Sequence, residues 1–180
     1  MAVPYNLEKS QSKFNPKLIL RILVVGLIIG GLVAVLIRSV FYNPIRISTV
    51  SMEPTLNKDQ VYFLNKWTKP YNLVLGDIVL CEREAGMVVG RILGKPSDTI
   101  AIDNKTIIRN GEILPPNLYP AVWKDDRPSL PIEFTNRDNL GAIRIPENNF
   151  FLIGDNRDES MDSRHFGTVP FQCILGTISP

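Results

Sequence analysis

The chain has 180 residues, of which 44% are apolar and 21% charged, a balance that fits one folded domain plus an anchor or tail and excludes wholesale disorder. The formal net charge of +2 hides an asymmetry. Lys9, Lys13, Lys17 and Arg21 gather at the N-terminal side against Glu8 alone, whereas everything after Asn43 is close to neutral and slightly acidic. A nucleic-acid binder would carry its positive excess on the folded domain, so no nucleic-acid partner is expected.

Residues 1–17 read as a basic cytoplasmic tail. Residues 18–42 follow as a membrane helix, with Ile22–Ile37 unbroken by charge and Arg21 and Arg38 near the ends, where long side chains reach the headgroups. A cleavable signal peptide would have a shorter apolar run and a small-x-small exit. The exit here, Leu36-Ile37-Arg38-Ser39-Val40-Phe41-Tyr42, has none, so an uncleaved signal-anchor is expected. The basic residues before it predict a cytoplasmic N-terminus and a C-terminal domain on the extracytoplasmic or lumenal face, at the plasma membrane by default. Gly26 and Gly30 form a GxxxG through which two such helices could pack as a dimer.

Beyond Asn43-Pro44, residues 43–180 break into short β-branched runs cut by turn signals. The strands predicted are Ile45–Val50, Gln60–Leu64, Asp77–Cys81, Met87–Leu93, Thr99–Ile102, Lys105–Arg109, Phe150–Ile153 and Cys173–Ile178. Asn110-Gly111 between two such runs marks a hairpin. No apolar run at helical period demands a helix, apart from a turn around Asn65–Thr68. The fold class is therefore mainly β, an antiparallel sandwich or partly open barrel behind one N-terminal membrane helix. Residues 114–131, with five prolines, read as an irregular excursion.

Cys81 and Cys173 lie far apart and read as two separate apolar cysteines in strands. A disulfide would require an oxidising compartment, and sequence alone does not pair them. With one histidine and no CxxC, no metal site and no cofactor are expected.

Two segments carry chemistry. Ser51-Met52-Glu53-Pro54-Thr55-Leu56 puts a hydroxyl at a strand end, and Gly154–Gly167 (GDNRDESMDSRHFG) packs acids, arginines and serines into one loop. The first resembles the nucleophile box of the type I signal peptidases, and the second resembles their last conserved box. Gly76-Asp77-Ile78-Val79 and Arg91-Ile92-Leu93-Gly94-Lys95-Pro96-Ser97-Asp98 are similar to two further boxes, in the family's order.

The resemblance implies a membrane serine endopeptidase that removes signal peptides from exported preproteins after small-x-small motifs. It implies Ser51 as nucleophile and Thr49 as a hydroxyl that joins the Ser51 N–H in an oxyanion hole. Ser160 would orient a lysine base, Asp162 and Arg164 would brace the site, and Asp155, Arg157 and Arg91 would support it. Ile47 and Val89 fall where apolar residues line pockets for small side chains, and they suit plain core equally well. The signal peptide and the lipid bilayer are the partners implied.

One family position departs. The residue before Arg91, where the family has its lysine base, is Gly90. Lys95 lies on the opposite strand face by alternation, Lys58 sits in a turn with no reason to fold back, and His165 suits packing. A serine hydroxyl is a poor nucleophile without a base to take its proton. Two readings therefore remain: a signal peptidase using an unusual base, or a catalytically impaired relative that binds signal peptides or partners without efficient cleavage. A self-cleaving repressor-like protein of related fold is set aside by the membrane anchor and by the absence of a DNA-reading domain.

Overall fold

The computed structural model describes residues 15–116, 119–133 and 135–180, so most of the predicted basic tail lies outside the described residues. The chain divides between Val40 and Phe41 into two units. The first holds α1 (Pro16–Phe41), whose stretch Pro16–Leu36 has a mean hydropathy of 2.8 and is long and apolar enough to cross a membrane. Gly26 and Gly30 have open space around them.

The second unit carries eleven strands among the described residues: β1 Tyr42–Arg46, β2 Val61–Asn65, β3 Ile78–Arg83, β4 Gly86–Gly94, β5 Thr99–Asp103, β6 Thr106–Arg109, β7 Glu112–Ile113, β8 Leu140–Arg144, β9 Asn149–Ile153, β10 Val169–Pro170 and β11 Ile174–Ser179. They form a seven-stranded sheet, ordered β1-β2-β11-β3-β4-β9-β10, and a four-stranded sheet, ordered β7-β6-β5-β8. Every strand pair is antiparallel. The unit is thus the mainly β, antiparallel architecture expected.

Alternation along the strands builds the cores. Ile78 and Leu80 enter one cluster with Ile47, Met52, Leu56 and Val89, whereas Val79 and Cys81 enter another with Ile92, Phe150 and Leu152. Phe151 and Ile153 pack with Leu93, Ile100, Ile107 and Ile145 of the second-sheet core. Each fully buried side chain of this kind contributes about 1.5–3 kcal/mol.

Four details differ from the sequence reading. The strand predicted at Ile45–Val50 is instead Tyr42–Arg46, because β1 is an edge strand and an edge tolerates Pro44 without its N–H. Strands β8 and β10 are additional. The site loop does contain a helix: α2 (Ser163–Phe166) is one turn, capped by Asp162, whose carboxylate accepts the Arg164 N–H. Lastly, Cys81 and Cys173 are not separate but bonded, with Cα atoms 4.8 Å apart, across a sequence separation of 92 residues. Cross-linking a loop of that length stabilises a fold by roughly 2–5 kcal/mol. Cys81→Ser/Cys173→Ser should therefore lower the melting temperature of the detergent-solubilised chain by several degrees, and an unchanged value would show that the bond contributes little.

Candidate active site

Ser51 lies in the turn that follows Ile47, where the chain leaves its pairing with Gln60. Its Oγ is 2.7 Å from Thr49 Oγ1 and 3.5 Å from the Val89 carbonyl, a marginal contact. The Ser51 N–H donates to Thr49 Oγ1 at 3.1 Å. The two donors expected in an oxyanion hole are therefore together, but they engage each other, and that bond must open before both could face a third atom.

The Gly154 loop grips this segment from above. The Asn156 N–H donates to the Ser51 carbonyl at 3.0 Å, and Asn156 Nδ2 donates to the Val50 carbonyl at 3.0 Å. Thr55 Oγ1 donates to Asp155 Oδ2 at 2.6 Å, and Arg91 closes a two-point pair on the same carboxylate at 2.9 and 2.6 Å. Gly154 is required here: an added Cβ would overlap Ser160 Oγ and lie 2.5 Å from the Ser51 carbonyl. Asn156 and Thr55 carry this grip although sequence reading gave them no role. Their signal was only their place inside the two boxes.

Behind the loop, Asp162 is fully buried and accepts from Gly154 N–H, Arg164 N–H, Arg164 Nε and Arg164 Nη2 at 2.9–3.1 Å. Burial by itself would raise its pKa, but the Arg164 guanidinium and the Gly154 N–H outweigh burial and hold it below the usual carboxylate value. Arg157 is also buried, yet it forms no ion pair among the described residues; its guanidinium lies 5.1 Å from the centre of the Tyr119 ring. Burial and the neighbouring Arg164 charge pull its pKa down to about 10. The predicted excursion runs beside this loop as a strap: Val122 N–H donates to the Asp155 carbonyl at 2.8 Å, and Arg157 N–H donates to the Val122 carbonyl at 2.9 Å.

The base position is empty of side chain. Gly90 sits in β4, opposite Val79 of β3. A Cβ there would come 3.1 Å from Leu152 Cβ and 3.6 Å from the Ile153 carbonyl, so β9 is packed close against it. Ser160 Oγ is buried and makes no hydrogen bond of normal geometry, although it lies near enough to Asp162 to favour that carboxylate's charge. No lysine or histidine hydrogen-bonds to Ser51 among the described residues. Lys95 follows β4, with its N–H on Asp98, and His165 lies on α2 with Nδ1 3.9 Å from Asp162.

Lys58 corrects the sequence reading. The turn does fold back, because Asp59 N–H donates to the Ile47 carbonyl at 2.7 Å, and Lys58 lines the same cleft of about 440 Å³ as Ser51, with Met87, Val88 and Met161. It is exposed at the rim. Ile47 and Val89 are both core and lining: they belong to a buried cluster and also border an adjoining apolar hollow of about 280 Å³ with Leu80 and Met87. Among the described residues no acidic, cysteine or histidine cluster could hold a metal ion.

The family model described as signal peptidase, peptidase S26, matches residues 19–180. The chain belongs to that signal peptidase family. Signal peptidase I P of Bacillus subtilis subsp. natto is 34% identical over 84% of this chain and 82% of its own length. Signal peptidase I T of Bacillus subtilis (strain 168) is 34% identical over 84% and 79%. Signal peptidase I of Bacillus licheniformis is 30% identical over 94% and 90%. A signal peptidase I structure from Enterococcus faecalis aligns with a TM-score of 0.48 at 26% identity, over 60% of this chain and 97% of that one. Membership of this signal peptidase family makes the chain a peptidase by descent, and α1 is consistent with membrane anchoring.

Proposed function

We propose that this signal-peptidase-family chain receives signal peptides of exported preproteins in the cleft at Ser51 and cleaves them far more slowly than a lysine-containing relative. An extended segment would add to the edge of β4: Gly86–Val89 pair with β3, whereas β9 joins β4 only from Arg91 onward. Small side chains of a small-x-small motif would enter the apolar space beside Ile47 and Val89. Ser51 Oγ would be the nucleophile, with Thr49 and the Ser51 N–H at the developing oxyanion. Asp155, Arg91, Asp162, Arg164 and Arg157 would hold the loop that carries Ser160.

The observation that carries slow turnover is the Ser160 hydroxyl, buried and without a hydrogen bond of normal geometry among the described residues, beside a strand whose base position is Gly90. Losing one member of a nucleophile–base unit can cost about as much as losing all of it, on the order of 10⁶-fold. The remaining donors and binding would leave about 10³–10⁴ over water. In this reading the N-terminus lies in the cytoplasm and the β unit outside, which the basic residues before α1 support. The Cys81–Cys173 bond supports that side, since disulfides persist in oxidising compartments.

The test is a preprotein with an Ala-x-Ala site, followed for both binding and cleavage by the purified full chain and by Ser51→Ala. Saturable binding by both, with only trace cleavage that Ser51→Ala removes, is expected. Robust wild-type cleavage abolished by Ser51→Ala would overturn slow turnover and require a different base.

A further inference from the structure

An extended segment added to the free edge of β4 presents its side chains alternately to the two faces of the sheet. One face is the apolar hollow lined by Met87 and Val89. The other face carries Val88 and Arg83. Cys81 pairs with Val88 and Arg83 with Gly86, and directly opposed residues of an antiparallel pair share a face. Side chains of a bound segment that alternate with the small ones therefore turn toward Arg83.

Arg83 is held ready on that face. Its guanidinium lies over the Phe166 ring of α2, with Cζ 3.7 Å from the ring centre. A stacked guanidinium keeps its N–H donors in its own plane, free to meet a carboxylate at two points. Arg83 forms no ion pair among the described residues, although Glu82 and Glu84 flank it in sequence. Between Arg83 and the free edge stands Gly86, where a Cβ would meet nothing within 4 Å. The path from the guanidinium to a bound segment is thus open, and Arg83 lines the same cleft as Ser51.

The charge of the cleft has one sign. Lys58 is its second cation and is also without an ion pair among the described residues. The carboxylate that lines it, Glu159, is already paired with Lys124 at 3.0 Å. An acidic side chain entering here meets two cations and one neutralised carboxylate.

The strand geometry says which residue that would be. Ser51 Oγ lies 3.5 Å from the Val89 carbonyl, so the residue whose carbonyl is attacked sits opposite Val89. The other small residue of a small-x-small motif sits opposite Met87, at the far end of the hollow. The residue opposite Gly86 is then the fourth before the cut, about 10 Å from the nucleophile at about 3.3 Å per residue.

We propose that Arg83 is a specificity-determining residue, which selects an acidic side chain at the fourth position before the scissile bond. This rests on the cleft at Ser51 receiving signal peptides along β4.

The test measures binding to detergent-solubilised full-length Ser51→Ala, so that bound preprotein stays intact. A fluorescent preprotein with an Ala-x-Ala site is made with Asp or Asn at the fourth position before the cut, and separately at the fifth, whose side chain faces away. Asp at the fourth position should bind about 3- to 10-fold more tightly than Asn at low salt, between an exposed ion pair and a charge-assisted hydrogen bond. The fifth position should show no preference. Adding Arg83→Gln should abolish the fourth-position preference, and adding Arg83→Glu should turn it toward Lys. Each preference is a ratio within one variant, so a general weakening from the lost Phe166 stack does not imitate the result. Saturable binding that is indifferent to Asp or Asn overturns the role of Arg83 and leaves the reading of the cleft standing. Equal preference at the fourth and fifth positions overturns the assignment of faces. A preference that survives Arg83→Gln and vanishes with Lys58→Gln overturns the proposal and gives the selectivity to Lys58. No saturable binding of any preprotein overturns the reading of the cleft and this inference together.

Discussion

Gly90→Lys is expected to raise preprotein cleavage by about 10²- to 10⁴-fold, the range that a positioned general base contributes. Gly90→Lys/Ser51→Ala should lose the whole gain. The strand is already in place: Gly90 precedes Arg91, whose partner Ile153 comes directly before Gly154, where an added Cβ would meet Ser160 Oγ. A lysine held by Ser160 in this buried setting would have its pKa lowered by desolvation. Part of it would then be neutral and able to accept the Ser51 proton. The obstacle is local, since the new Cβ meets Leu152 Cβ at 3.1 Å and that side chain must yield by a few tenths of an ångström. Gly90→Lys/Leu152→Ala relieves the contact. If neither variant cleaves faster than wild type in a time course on gels, the missing lysine does not explain slow turnover.

Asp162→Ala is expected to destabilise the β unit by about 3–5 kcal/mol, the cost of leaving a buried charge without its partner. Arg164 would keep only the Arg157 and Arg137 carbonyls, and it already neighbours the unpaired Arg157. The Gly154 N–H and the cap of α2 would lose their acceptor as well. The pH dependence has a definite sign. Because the folded-state pKa of Asp162 is depressed, its stabilisation is fully present above the unfolded value of about 3.9 and fades as pH falls through the folded one. Melting temperatures of wild type and Asp162→Asn should differ by a constant amount from neutral pH down to about pH 4 and converge below it. A gap that holds at lower pH would place the stabilisation in packing and not in the ionised pair.

Strands such as Ile78–Arg83 and Asn149–Ile153 could be read from sequence because the successive apolar residues of each alternate between two cores. Leu140–Arg144 could not, since Gly141 and Ala142 are weak strand formers and the segment is held by pairing with β5. The Ser51 and Gly154 boxes were readable as chemistry, but their mutual grip was not. The bonds from Asn156 to Val50 and Ser51 span a hundred residues and exist only once the sheet has formed. Lys58 escaped for the same reason: its place at the cleft depends on Asp59 bonding back to Ile47, a matter of register that no local pattern encodes. The cysteine pair is a third case, because proximity across 92 residues is a property of topology.

That topology has a consequence for the order of events during synthesis. β11, the last in order of the described strands, does not sit at an edge but between β2 and β3, and among the described strands it alone joins the β1–β2 pair to the rest of the large sheet. Until Ile174–Ser179 has emerged, the hairpin that leads into Ser51 has nothing to pair with on its inner side. The large sheet therefore closes only once β11 is available to pair, and Ile174–Ser179 act as its closing stave.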